Sequence, residues 1–164
     1  MNTRKMITLA LLTTVSLILS YLEMILNLNF GLPGIKLGLT NIAVMLTLYR
    51  FGIKESAIVI FLRISILTLL FGNALSAFYS IAGASLALVL MVAAKKSKFI
   101  SIMGISVIGG VFHNVGQLIC AGIVMQSSAV IYYLPVLLVA GAVCGVIIGT
   151  VSKMVIPLLP AWLG

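Results

Sequence analysis

Ten basic residues punctuate an otherwise apolar chain of 164 residues, and all but two of them stand at alternate gaps between its apolar runs. Arg4 and Lys5 precede the first run, and Arg50 and Lys54 separate the second from the third. Lys95, Lys96 and Lys98 separate the fourth from the fifth, and Lys153 follows the sixth. Positive charge collects on the cytoplasmic side of membrane proteins, so this alternation predicts six spans with both termini in the cytoplasm. Lys36 and Arg63 fall outside the scheme, and Arg63 lies within an apolar run.

The balance of residues agrees with that reading. Hydrophobic residues make up 63% of the chain and charged ones 7%, where soluble domains carry roughly 25% charge. The formal charge of +8 is spread over the ends of the runs, where lipid headgroups and the insertion rule account for it, so no nucleic-acid partner is expected. The apolar run from Met6 to Leu28 exceeds the ~7–15 residues of a signal-peptide core, which favours an uncleaved first span. Cys120 and Cys144 fall within expected spans and form no Cys-x-x-Cys pair, so neither a disulfide nor a metal follows.

The runs are too long and too continuously apolar for barrel strands, which alternate at a period of two. The expected fold is an all-α membrane protein, one compact bundle of six transmembrane helices in a single domain over residues 1–164. The expected spans are Met6–Leu28, Leu37–Tyr49, Ser56–Phe71, Leu75–Ala94, Phe99–Met125 and Ala129–Val151. The second is short for a hydrocarbon layer that takes ~20 residues to cross, so it is tilted, broken or shielded by its neighbours, and a four- or five-span count competes. Gly141, Gly145 and Gly149 recur every four residues on the sixth run, a stripe that lets another backbone approach. Ser76, Ser80 and Ala84 form a similar row on the fourth. On the first, Ala10 with Thr14 and Ser16 with Ser20 offer two more pairs, either of which suits an external docking face.

Polar residues inside the runs carry the functional expectation. Arg63 follows Lys54 by nine residues, which places it ~14 Å into the layer, where an unpaired cation costs at least ~2.5–3.5 kcal/mol. It therefore needs a partner or a wet cavity. Of the two acidic residues, Glu55 belongs to a cytoplasmic link, which leaves Glu23 near the outer end of the first span. Two readings stand: a structural Glu23–Arg63 ion pair, or a guanidinium that receives an anionic ligand group. His113 and Gln117 are four apart and share a helix face, with Asn114 on the adjacent flank. With Glu23, Asn27 and Asn73 they line one outer-half pocket beneath the Gly- and Pro-containing segment Asn27 to Lys36, which reads either as a lid or as an ordinary connector. The chain has no aspartate, so the clustered carboxylates that hold magnesium and diphosphate in prenyl transfer are missing. Phosphate-cradling and nucleophile-elbow patterns are absent too. Catalysis is not expected, nor is any cofactor.

The stretch Gly34-Ile35-Lys36-Leu37-Gly38-Leu39-Thr40-Asn41-Ile42-Ala43-Val44-Met45-Leu46, with Tyr49-Arg50-Phe51-Gly52 and the later Gly110-Val111-Phe112-His113-Asn114-Val115-Gly116-Gln117, resembles the Gx transporter family, labelled heptaprenyl diphosphate synthase component I. That family resembles the substrate-binding S components of energy-coupling factor transporters. The resemblance implies six helices, a ligand pocket toward the outer side, and sites at Lys36, Asn41, Arg63, His113, Asn114 and Gln117. It also implies a separate ATPase module whose transmembrane coupling protein docks on an Ala-x-x-x-Ala pattern, loosened here to Ala10-Leu11-Leu12-Thr13-Thr14. The resulting expectation is a bacterial, multi-pass membrane subunit that takes up a small vitamin-like or isoprenoid- or quinone-related molecule, with membrane lipid around it. A non-catalytic accessory component of heptaprenyl diphosphate or quinone synthesis is the alternative.

Overall fold

A computed structural model describes residues 3–26, 38–71, 74–97 and 99–159. Among these, six α-helices and two short 3-10 turns occur in the order α1 (Thr3–Ile25), α2 (Asn41–Arg50), α3 (Ile53–Phe71), α4 (Ala74–Lys95), α5 (Ile102–Met125), a 3-10 turn over Ser128–Tyr133, α6 (Leu134–Val155) and a last 3-10 turn over Ile156–Leu158. No described residue is in a strand.

Four helical stretches are long and apolar enough to cross a membrane: Thr3–Ile25, Ala74–Lys95, Ile102–Met125 and Ser128–Leu158. Helix α3 has 19 residues but carries Lys54, Glu55 and Arg63. Helix α2, at ten residues, is ~15 Å long and reaches across about half of the hydrocarbon layer. It starts at Asn41, later than the expected Leu37, because residues 38–40 turn before the helix begins. Seven of its ten residues are buried, so its neighbours shield it from lipid.

Helix α5 is sandwiched between α4 and α6, and glycines set both distances. On α6, a Cβ at Gly141 would fall 2.7 Å from the Gly110 carbonyl oxygen, one at Gly145 2.5 Å from the Val107 Cα, and one at Gly149 2.9 Å from the Met103 Cα. The three-glycine stripe is thus an internal seam, where backbone-to-backbone dispersion contact holds helices that lipid gives no hydrophobic drive to associate. On the other flank, Gly83 of α4 meets the His113 carbonyl oxygen at 2.6 Å by the same measure. Asn114 adds a cross-helix tie, its Nδ2 donating to the Leu137 carbonyl of α6 at 2.8 Å.

Helices α1 and α3 run parallel in register. Lys5 Nζ pairs with Glu55 Oε1 at 2.5 Å, fifty positions apart, and Leu9 packs with Val59 and Ala43 at the same offset one turn further along. Helix α1 packs on α2 and α3, and its buried stripe is partly polar: Leu9, Leu12, Thr13, Ser16, Ser20 and Glu23. Ser16 and Ser20 therefore face inward, while Ala10 and Thr14 lie on the exposed side. Lys95 closes the other end of α2 by donating to the Leu48 carbonyl at 2.7 Å beneath the Tyr49 ring, a cation placed where a helix C-terminus favours one.

A buried polar cluster around the turn before α2

The turn at Gly38, Leu39 and Thr40 is the point on which the polar residues converge. Gly38 has φ +87°, a left-handed conformation that glycine adopts without strain. Space confirms the choice, since a Cβ there would lie 3.1 Å from His113 Cδ2 and 3.2 Å from Asn41 Nδ2. Glu23 reaches the turn from α1: its Oε1 accepts from the Gly38 N–H at 2.6 Å and the Leu39 N–H at 2.9 Å. Two backbone donors that would otherwise be stranded near the start of a helix without a side-chain cap are satisfied by one carboxylate.

Arg63 approaches from α3 and donates through Nη1 to the Thr40 hydroxyl. The side chain is 3% exposed, so its cost in an apolar medium is met inside the protein rather than at headgroups. Glu23 supplies the compensating field, while its bonded oxygen serves the turn. The remaining guanidinium nitrogens, Nε and Nη2, have no hydrogen-bond partner among the described residues, and the same holds for Asn41 Nδ2.

From α5, His113 stands against Gly38 and Gly83, and Gln117 lies one turn along on the same face, its Cγ 2.8 Å from the position of a Cβ on Gly83. Both are buried, at 2% and 0% exposure. Of the residues expected from sequence, Glu23, Asn41, Arg63, His113 and Gln117 are thus drawn into one cluster by α1, α2, α3 and α5. Asn114, although adjacent in sequence, turns to α6 and acts as a tether there. Lys36, Asn73 and the segment 27–36 stand outside the described residues. Thr40 went unrecognised in the sequence, because a hydroxyl ahead of a short apolar run reads as an ordinary cap. Ser16 and Ser20 read as packing residues for the same reason: small side chains at helical spacing signal close approach before they signal chemistry.

A separate groove of about 480 Å³ lies between α5 and the Ser128–Tyr133 turn, bounded by Leu118, Ile119, Gly122, Ile123, Val130 and Leu134. Its walls are apolar, and none of the expected site residues lines it. No group of three or more His, Cys, Asp or Glu among the described residues is placed to hold a metal. At the end of the bundle near the expected cytoplasmic links, the Lys5 ammonium holds the Glu55 carboxyl below its usual range.

Long apolar helices around a buried polar cluster define a helical membrane protein. The chain belongs to the heptaprenyl diphosphate synthase component I family, whose model matches residues 12–155. That description names one component of a synthase, which is consistent with a subunit that performs no catalysis itself. No curated protein and no solved structure matches the chain.

Proposed function

We propose that this protein is the substrate-binding membrane subunit of an energy-coupling-factor-like transporter, taking up a small molecule through the polar cluster in its outer half. The observation that carries the reading is Arg63: a guanidinium 3% exposed, with one hydrogen bond to Thr40 and two nitrogens without protein partners among the described residues. Leaving charged donors unsatisfied in a low-dielectric interior is costly, and an anionic ligand group removes that cost. In this reading Arg63 holds the anionic group with Asn41 beside it, and His113 and Gln117 hydrogen-bond the rest of the molecule. Glu23 balances the charge and fixes the turn. Lys36, Asn73 and a lid over residues 27–36 complete the site. Energy comes from a separate ATPase module through a coupling protein that docks on the exposed Ala10 and Thr14 face of α1. Vitamin-like and isoprenoid- or quinone-related molecules are the ligand classes proposed.

The family description favours a second reading, a non-catalytic accessory component of heptaprenyl diphosphate or quinone synthesis. Native mass spectrometry of gently extracted protein with its partners separates the two. A retained small molecule and a co-isolated ATPase pair support transport. A co-isolated prenyl transferase supports the accessory role. If Arg63→Gln and His113→Ala proteins fold and retain the same ligand in the same amount as the unaltered chain, the site assignment is wrong.

A further inference from the structure

Ser16 and Ser20 are 0% and 1% exposed, and neither hydroxyl has a hydrogen-bond partner in the described structure. Buried hydroxyls in transmembrane helices are ordinarily satisfied, and Thr13 on the same helix shows the usual solution by donating to the Leu9 carbonyl at 2.8 Å. The serines are also at the right depth to matter. The parallel register of α1 and α3 sets Thr13 level with Arg63, and the Arg63 side chain extends outward from there to Thr40, beside the residues that Glu23 grips. Ser16 and Ser20 lie between those two levels, on the face of α1 turned toward α2 and α3.

We infer that Ser16 and Ser20 are ligand-binding hydroxyls which, together with Arg63 and Asn41, form a cradle for a phosphate-type group. This rests on the reading that the cluster binds a small anion. The buried atoms without a hydrogen-bond partner include Arg63 Nε and Nη2, Asn41 Nδ2 and the two serine hydroxyls, and each of these five can donate. A carboxylate offers about four lone-pair sites, all near one plane, to two oxygens. Five donors arriving from three helices exceed that number and surround the group, whereas a phosphate ester presents three strong acceptor oxygens in a tetrahedral arrangement. Ammonium groups and metal cations, which bring no acceptor, would leave the guanidinium and amide donors unmet.

The test titrates the full chain in detergent with inorganic phosphate, sodium acetate and ammonium chloride, reading binding as the shift in thermal unfolding midpoint. The unaltered protein is expected to be stabilised by phosphate at concentrations at least tenfold below those needed with acetate, and not by ammonium chloride. In Ser16→Ala/Ser20→Ala, phosphate affinity falls by at least about tenfold while unfolding without ligand is unchanged or shifted upward, because the substitutions remove buried unsatisfied hydroxyls. A purely structural role for the serines predicts the opposite pattern, lower stability with phosphate affinity intact, and overturns the inference. If the serine variant binds phosphate normally while Arg63→Gln does not, the inference fails and the anion-binding reading survives. If neither substitution changes the phosphate response, or neither phosphate nor acetate stabilises the protein, both fail. Acetate binding more tightly than phosphate overturns the phosphate assignment.

Discussion

Replacing Glu23 by Gln and by Ala separates two jobs that the structure gives to one side chain. Glu23 is 3% exposed, and its Oε1 holds the Gly38 and Leu39 N–H groups at 2.6 and 2.9 Å. Glutamine keeps an oxygen in reach of those donors but removes the charge. Hydrogen bonds to a charged group contribute about 1.5–3 kcal/mol against about 0.5–1.5 for neutral ones, so two such bonds lose on the order of 2 kcal/mol. Alanine leaves both N–H groups buried and unsatisfied, at about 1–3 kcal/mol each, and strips Arg63 of its nearby negative charge. Loss of that charge beside a buried guanidinium adds to the cost in the same direction. The expected order of stability is therefore wild type, then Glu23→Gln, then Glu23→Ala, with a spread of several kcal/mol measured by reversible denaturant unfolding in mixed micelles. The second job is tested by the cycle with Arg63→Gln. Once the guanidinium is gone, Glu23→Gln should cost less than it does in the unaltered chain, because only the turn is still served by the charge. A Glu23→Ala protein as stable as wild type, or a Glu23→Gln cost independent of residue 63, would refute the reasoning.

Gly83→Ala sets a Cβ 2.6 Å from the His113 carbonyl oxygen, a backbone atom that moves only with α5. It should cost about 1–3 kcal/mol in unfolding and weaken ligand retention. Gly122→Ala, whose nearest neighbour is the Val130 Cγ2 at 3.2 Å, should change both far less. Asn114→Leu loses the tie to the Leu137 carbonyl and is expected to cost about 0.6–1.7 kcal/mol with ligand retention unchanged, which a ligand-retention assay on the folded variant checks. The Lys5–Glu55 pair gives a pH signature. Because Glu55 titrates lower in the folded protein, its contribution is fully present above its ordinary carboxylate range and disappears as pH falls through the lower folded value. Both side chains are partly exposed, at 31% and 17%, so the difference between wild type and Glu55→Gln should be at most about 1 kcal/mol at neutral pH and vanish in acid.

Much of the architecture was legible because lipid imposes simple rules. Helical runs, the glycine seam on α6 and the burial of Arg63 all follow from the cost of polar groups in hydrocarbon, which spacing alone exposes. The boundaries of α2 were not legible. Leu37, Gly38 and Leu39 continue an apolar run, and what breaks the helical path there is the left-handed φ of Gly38, held in place by Glu23, a residue fifteen positions earlier. Long-range capping leaves no local trace. The partner of Asn114 was not legible either: a helix turns by about 100° per residue, so its amide nitrogen, on the flank beside His113, reaches the Leu137 carbonyl of α6.

The short helix and the polar cluster are linked by a single arrangement. Had α2 begun at Leu37, the Gly38 and Leu39 N–H groups would still be unpaired first-turn donors, but Thr40 would lie inside the helix and Gly38 would lose its left-handed φ of +87°. Beginning at Asn41 instead places the Thr40 hydroxyl before the helix, where Arg63 reaches it, and turns Gly38 against the His113 ring. Seven buried residues on α2 compensate for what its length does not supply across the membrane. The late start therefore gathers the Gly38 turn, its two backbone donors and the Thr40 hydroxyl at one depth inside the bundle, and four other helices close around them. A substitution that lengthened α2 at its start, such as Gly38→Ala, would be expected to disturb Glu23, Thr40 and His113 together, because a left-handed φ and a contact of 3.1 Å both exclude the added carbon.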